Sequence, residues 1–193
     1  MAPRLIIAVT GLPGSGKSEF SKAIAEALRA PVVVLGDIVR EEVRRRGLEP
    51  TPENVEAVAT ELRARWGRGV VARLAEGAIR SAPSDYVVVD GLRSPEELDV
   101  LRSIAPTCVV AVHAAPSIRF SRLSSRGRPG EGSLEVFRMR DRKNLEYGVG
   151  DVVALADYMV VNESSVDELV KRARELAEAI ARGEWRGRCR GRG

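Results

Sequence analysis

The run Gly11-Leu12-Pro13-Gly14-Ser15-Gly16-Lys17-Ser18 fits G-x-x-x-x-G-K-[ST] without a mismatch and constrains the fold more than any other feature of the chain. It follows the apolar run Leu5 to Thr10 and opens a helical stretch from Glu19 to Arg29. Glycines let successive backbone N–H groups close around phosphate oxygens, and the N-terminus of the following helix adds positive potential. Lys17 can then reach the β- and γ-phosphates, and the Ser18 hydroxyl can reach a Mg²⁺ ion. All eight residues, Gly11, Leu12, Pro13, Gly14, Ser15, Gly16, Lys17 and Ser18, are therefore candidate ATP-binding positions. The loop specifies a nucleotide and leaves open what receives the phosphoryl group.

Such a loop belongs in a parallel α/β sheet, and the rest of the chain agrees. Leu5–Thr10, Val32–Leu35, Tyr86–Asp90, Cys108–His113 and Tyr158–Val161 are short, largely β-branched runs separated by helical patterns. Their lack of polar alternation implies strands covered on both faces. The expectation is a three-layer α/β fold with a five-stranded parallel sheet and helices on both sides. Helix starts are marked at Ser94-Pro95-Glu96-Glu97 and Ser165-Val166-Asp167-Glu168, each a capping box, and less fully at Thr51-Pro52. Gly47 and Gly183 are placed to end helices.

A length of 193 residues suits one domain, and 44% apolar with 30% charged residues excludes a disordered or membrane-embedded chain. The longest apolar runs fall well short of the ~20 residues that span a bilayer, so no membrane partner is expected. The formal net charge of +4 hints at nucleic acid until it is located. From Arg182 onward five arginines stand against Glu184, so the first 181 residues are neutral. The reading is a domain over residues 1–181, for which nucleic acid is not expected, and a flexible Arg/Gly tail over 182–193, where it is possible. Cys108 in a strand-like run and Cys189 in the tail offer no disulfide framework. With His113 as the single histidine, read as structural, they offer no zinc cluster either. The opening residues are too short for a signal peptide, and a cytoplasmic protein is expected.

Tyr86-Val87-Val88-Val89-Asp90 supplies a second element of nucleotide chemistry, an apolar strand ending in a carboxylate that can hold Mg²⁺ beside Ser18. No Asn-Lys-x-Asp segment occurs, which counts against a GTPase switch. The acceptor clue lies in Leu35-Gly36-Asp37-Ile38-Val39-Arg40 and Asp90-Gly91-Leu92-Arg93, each placing an arginine just beyond a strand's C-terminal edge, where open α/β sheets bind ligands.

These segments resemble those of adenylate kinases, which carry Thr-Gly-Asp-Met-x-Arg after the second strand and Asp-Gly-x-Pro-Arg after the third. The resemblance implies that Arg40 and Arg93 hold the acceptor's phosphate, a task suited to the planar guanidinium fork. This chain departs from the pattern at Leu35, at the missing proline before Arg93, and at Glu97, where adenylate kinases have a glutamine that reads adenine. A carboxylate only accepts hydrogen bonds, so Glu97 could take one from an exocyclic amino group or could simply serve its capping box. The stretch Pro116 to Arg128 resembles the helix entering the lid of these kinases. That implies Arg122, Arg126 and Arg128 as residues that cover the ATP phosphates, with Arg138 and Arg142 returning on the next helix. The lid itself is short, about 126–133, and the acceptor-binding helical insert spans about 37–82. Ala156 to Ser165 resembles the last strand and turn of adenylate kinases and dephospho-coenzyme A kinases. Across residues 4–181 the layout looks most like an archaeal adenylate-kinase-related family, which implies the P-loop kinase fold.

The expected activity is ATP- and Mg²⁺-dependent transfer of the γ-phosphoryl group to a small phosphorylated metabolite, a nucleoside monophosphate first. Positioning and charge neutralisation do most of such a reaction. Asp37 would orient the attacking group, or accept a proton if that group were a hydroxyl. The alternatives are a dephospho-coenzyme A kinase acting on a ribose hydroxyl and, from another class, an ATP-gated binding protein whose tail contacts RNA.

Overall fold

The computed structural model describes residues 2–127 and 132–189. Five parallel strands form one sheet: β1 (Leu5–Thr10), β2 (Val32–Val34), β3 (Tyr86–Leu92), β4 (Thr107–His113) and β5 (Tyr158–Val161), in the order β2-β3-β1-β4-β5. Alternation along each strand explains why the apolar runs are unbroken. Ile6, Ala8, Val87, Val89 and Val109 point into one core, while Leu5, Ile7, Val9, Val88, Cys108 and Val110 point into the other. The first core is closed mainly by α2 (Leu35–Arg45), α3 (Pro52–Trp66), α4 (Val70–Arg80), α5 (Pro95–Ile104) and α8 (Val149–Ala154). The second is closed by α1 (Lys17–Leu28) and α9 (Val166–Ala181), packed side by side. The remaining helices, α6 (Pro116–Ser125) and α7 (Leu134–Tyr147), lie on either side of the expected lid. No helix among the described residues is long and apolar enough to cross a membrane.

Two strand boundaries move for physical reasons. Leu35 leaves β2 and starts α2, because β2 has a single neighbour, β3, and Leu35 is better buried beneath the helix, at 2% exposure. β3 continues past Asp90 to Leu92 through a register shift opposite Val9 and Thr10. Gly91 takes φ +94° there, and the Thr10 hydroxyl donates to the Leu92 carbonyl at 2.8 Å. That irregularity sets Asp90 and Arg93 at the C-terminal edge of the sheet beside β1, which lies between β3 and β4, the edge at which open α/β sheets bind ligands. The helix starts occur as expected, with Ser94, Ser165 and Thr51 each accepting a hydrogen bond from the backbone N–H three residues on.

The C-terminal expectation is corrected. Gly183 ends α9 at φ +82°, but the chain then forms a 3₁₀ turn over Glu184–Gly187 instead of leaving the surface. Trp185 and Cys189 enter the second core at 7% and 5% exposure, and Arg188 stacks on the Tyr158 ring at 4.7 Å. Cys108 and Cys189 form a disulfide across 81 residues, with their Cα atoms 4.8 Å apart. The base of β4 needs apolar cover on that face, and these two apolar residues supply it. Residues 190–193 lie outside the described residues.

Closing so long a loop restricts the unfolded chain, and disulfides of this kind contribute about 2–4 kcal/mol. Cys189→Ser, or wild type in reductant, should lose stability in that range by denaturant unfolding, and the two should coincide. Equal midpoints in oxidant and reductant would show that the thiols are not joined in solution.

Candidate active site

The Gly11–Ser18 loop turns from β1 into α1 through backbone conformations that a side chain would block. Gly16 adopts φ +95°, ψ 9° as the residue before α1, and a Cβ there would collide with the Asn162 amide. At Gly14, φ +82°, a Cβ would come within 2.7 Å of the Arg119 carbonyl. Both positions show the loop pressed against neighbours, and those neighbours also hold its carbonyls. Asn162, just past β5, donates from Nδ2 to the Ser15 carbonyl at 2.8 Å. Arg119 of α6 donates from Nη1 to the Pro13 carbonyl and from Nε to the Ala114 carbonyl, each at 3.1 Å. Its fork is clamped by both oxygens of Asp141 in α7, at 2.8 and 2.6 Å. With the Pro13 and Ser15 carbonyls held from outside, and the Ser15 N–H turned inward to the Leu12 carbonyl at 3.1 Å, the loop is fixed in the curved shape that suits an anion.

The metal side is equally specific. Ser18 Oγ donates to Asp90 Oδ2 at 2.9 Å, which brings together the two residues expected to share a cation. Asp90 Oδ1 is buried and has no hydrogen-bond partner among the described residues. An orphaned carboxylate oxygen in such a place is costly unless a hard cation or water completes it. A hydroxyl and one carboxylate, with waters and phosphate oxygens filling the remaining octahedral positions, suit Mg²⁺. No cluster of three or more His, Cys, Asp or Glu among the described residues offers a rival metal site.

Lys17 carries the clearest electrostatic signature. Burial above all, joined by the positive charges of Arg93, Arg126 and Arg119 and opposed by the pull of Asp90, lowers its ammonium from 10.5 to about 8. Arg93 and Arg126 thus share a field with Lys17. The other arginines lie differently. Arg122 donates to the Asn162 and Ser164 carbonyls at 3.0 and 3.3 Å and so fastens the turn after β5. Arg138 and Arg142 are exposed along a groove between α6 and α7 that Phe120 and Phe137 also line. Arg128 lies outside the described residues.

On the acceptor side, Asp37 and Arg40 pair within one turn of α2 at 2.5 Å, with side chains 62% and 40% exposed. Glu97 is withdrawn from solvent entirely. Its Oε2 accepts from the Arg93 backbone N–H at 2.8 Å, one residue before the N-cap that a standard capping box would reach, and its Oε1 meets Arg63 Nη2 at 3.3 Å. The carboxylate, for which the sequence left open a base-reading or a capping part, holds two arginine-bearing segments together. Sequence reasoning missed Arg63, Arg119, Asp141 and Asn162; only Asn162, in the turn already singled out after β5, carried a local signal.

Residues 10–138 match the family model described as an AAA domain. A UPF0200 protein of Hyperthermus butylicus is 51% identical over 180 residues, covering 93% of this chain and 96% of that protein. The chain belongs to the UPF0200 family. A second UPF0200 protein, from Aeropyrum pernix, is 50% identical over 183 residues, covering 94% and 97%. Among solved structures, a gluconokinase from Sinorhizobium meliloti aligns with a TM-score of 0.59 at 22% identity, covering 96% of this chain and 98% of that one. A shikimate kinase from Acinetobacter baumannii, in complex with shikimate, aligns with a TM-score of 0.60 at 18% identity, covering 94% and 93%. The UPF0200 chain therefore has the P-loop kinase fold.

The Lys17 shift gives the UPF0200 loop a pH signature. In the free protein Lys17 loses its proton as pH rises through about 8, and a bound phosphate chain restores it. ADP affinity should fall above pH 8, and binding at pH 9 should take up a fraction of a proton, read by calorimetry in two buffers of different ionisation enthalpy. Because the folded value lies below the unfolded one, the unfolded chain binds more protons between about 8 and 10.5, so the Lys17 contribution to stability rises with pH there. Zero proton uptake at pH 9 would contradict the depressed value.

Proposed function

We propose that this protein is an ATP- and Mg²⁺-dependent kinase that transfers the γ-phosphoryl group to a small phosphorylated metabolite, a nucleoside monophosphate in its leading form. The observation that carries the reading is the Ser18–Asp90 pair with its open Asp90 oxygen, set beside a buried Lys17 whose charge is coupled to Arg93. Together these offer a phosphate chain, a divalent cation and an acceptor arginine adjacent places.

The loop N–H groups and Lys17 hold the donor phosphates, and Ser18 and Asp90 hold the cation. Mg²⁺, when bound, neutralises charge across the β- and γ-phosphates. Arg93 and Arg40 orient the acceptor. An acceptor phosphate oxygen forms the new bond to the γ-phosphorus as the bond to the β–γ bridging oxygen breaks, and ADP leaves with that electron pair. This transfer needs no general base, which leaves Asp37, paired with Arg40 at 2.5 Å, an orienting part only. A ribose-hydroxyl acceptor, as in dephospho-coenzyme A kinase, would call for the opposite. Arg126 is the lid arginine assigned to the γ-phosphate, because its charge acts on Lys17. Arg122 steadies the turn, and Arg138 and Arg142 serve the lid's return. The RNA-binding alternative is weakened by the packing of Trp185 and Cys189, which removes much of the tail it required.

ADP formation over a panel of nucleoside monophosphates, dephospho-coenzyme A, gluconate and shikimate tests the assignment. Turnover should appear with a nucleoside monophosphate and drop by ~10²–10³ in Lys17→Ala, the scale of losing one charge-stabilising contact. Arg93→Ala should lose acceptor-dependent turnover to a similar degree while ADP binding stays near normal. Turnover confined to gluconate or shikimate would replace the phosphorylated acceptor with a polyol or hydroxy acid.

A further inference from the structure

A buried guanidinium with unused donors lies one step beyond the arginine assigned to the acceptor. Arg63 projects from the middle of α3 with its side chain 7% exposed. Of its five N–H donors, one meets Glu97 Oε1 at 3.3 Å and one meets the Ala59 carbonyl at 3.4 Å, both long for charged groups. Nε is buried with no partner among the described residues. The Tyr147 ring covers one face of the guanidinium at 4.4 Å, so the remaining capacity lies in the plane of the fork. Leaving donors of a buried cation unmade is expensive in a core, and a ligand that completes them removes the cost.

Arg93 stands beside it, half-buried rather than enclosed. Its guanidinium makes no hydrogen bond to any described residue, and burial together with the Arg63 charge pushes its pKa down. Its charge is felt at Arg63 on one side and at Lys17 on the other. Glu97 reaches both residues, Arg63 through the guanidinium and Arg93 through the backbone N–H. Its own backbone is pinned by the Ser94 hydroxyl at 3.1 Å. One carboxylate thus fixes two arginines that arrive on different elements, and it neutralises only one of them. Glu56 is the next carboxylate felt by Arg93. Burial alone would raise its pKa, yet it is held below its ordinary value by the Tyr147 hydroxyl at 2.6 Å and by Lys143 at 3.0 Å, so it is already matched.

We infer that Arg63 and Arg93 together form an oxyanion cradle for the phosphate monoester of the acceptor, with Glu97 as the residue that positions them. The inference rests on the kinase reading for the word acceptor, while the anion site stands on its own geometry. Two guanidinium forks against one carboxylate leave excess positive charge, and Lys17 lies next along the same field. That excess suits the dianion of a phosphate monoester better than the single charge of a carboxylate. Arg63 then becomes a specificity-determining residue, with α3 closing the acceptor site and α2 flanking it.

The test uses inorganic phosphate as probe and ¹⁵N side-chain NMR of the arginine Nε–H groups as readout, in full-length protein carrying Lys17→Ala so that the donor loop's own affinity is weakened. Phosphate should shift the Arg63 and Arg93 resonances saturably, and acetate at the same concentration should not. Adding Arg63→Ala should weaken phosphate binding at least tenfold as read at Arg93, whereas Arg63→Lys, which keeps the charge without the fork, should fall between. Glu97→Gln removes the counter-charge and should tighten phosphate binding severalfold while lowering thermal stability; a purely structural Glu97 would give weaker or unchanged binding. An Arg63 resonance that ignores phosphate, or an affinity that Arg63→Ala leaves alone, overturns the cradle, and stronger binding of acetate overturns its assignment to phosphate. Should Arg63→Ala fail to fold, Arg63→Lys and Glu97→Gln decide. A phosphate response without ADP formation on any acceptor would sink the kinase reading and leave the cradle standing; turnover without the response would do the reverse.

Discussion

A loop that closes its N–H groups around an anion has to send its carbonyls elsewhere, and in this protein distant side chains receive them. Arg119 takes the Pro13 carbonyl and Asn162 takes the Ser15 carbonyl. Arg119 in turn is fixed by Asp141 on α7, and Asn162 by its own backbone bond to the His113 carbonyl at 2.7 Å. The nucleotide loop therefore takes its shape from β4, β5, α6 and α7 at once. Helices α6 and α7 are tied to the loop through one buried bidentate pair, a contact far stronger than an exposed ion pair.

The same economy governs charge. Lys17, Arg63 and Arg93 are gathered in a poorly solvated cleft where Asp90 and Glu97 are too few to neutralise them. Each of those carboxylates also has a second task, Asp90 with the Ser18 hydroxyl and Glu97 with the Arg93 backbone. Mutual repulsion in low dielectric raises the energy of the empty site and makes it favourable for phosphate to enter. The charges of Lys17 and Arg63 thus form one continuous electrostatic object, with Arg93 as the shared member. This arrangement suits a reaction in which two anions must be brought into contact.

What could be read locally was read well. The phosphate loop, the five strands and three helix caps are written in contiguous residues, because backbone geometry and two-sided burial leave short-range marks. What escaped were single residues on helices. Arg63 and Arg119 look like members of a solvated basic face, and no neighbour in the sequence distinguishes them from Arg65 or Arg122. The tail misled for a related reason: arginine and glycine dominate its composition, while its placement is decided by Trp185 and Cys189. Glu97 was legible as a cap, and only packing against α3 reveals its second role.

By itself the sequence determined the P-loop after β1, since a loop of that shape needs glycine, lysine and serine at set spacings along one stretch of backbone. It also determined the layered sheet, since strands buried on both faces must be apolar throughout. The tertiary structure alone decided which of the many arginines lose their water and gather near Lys17, and that the segment up to Cys189 returns to β4. Desolvation and long-range pairing are properties of the folded surface, and neither leaves a periodic trace in the order of residues.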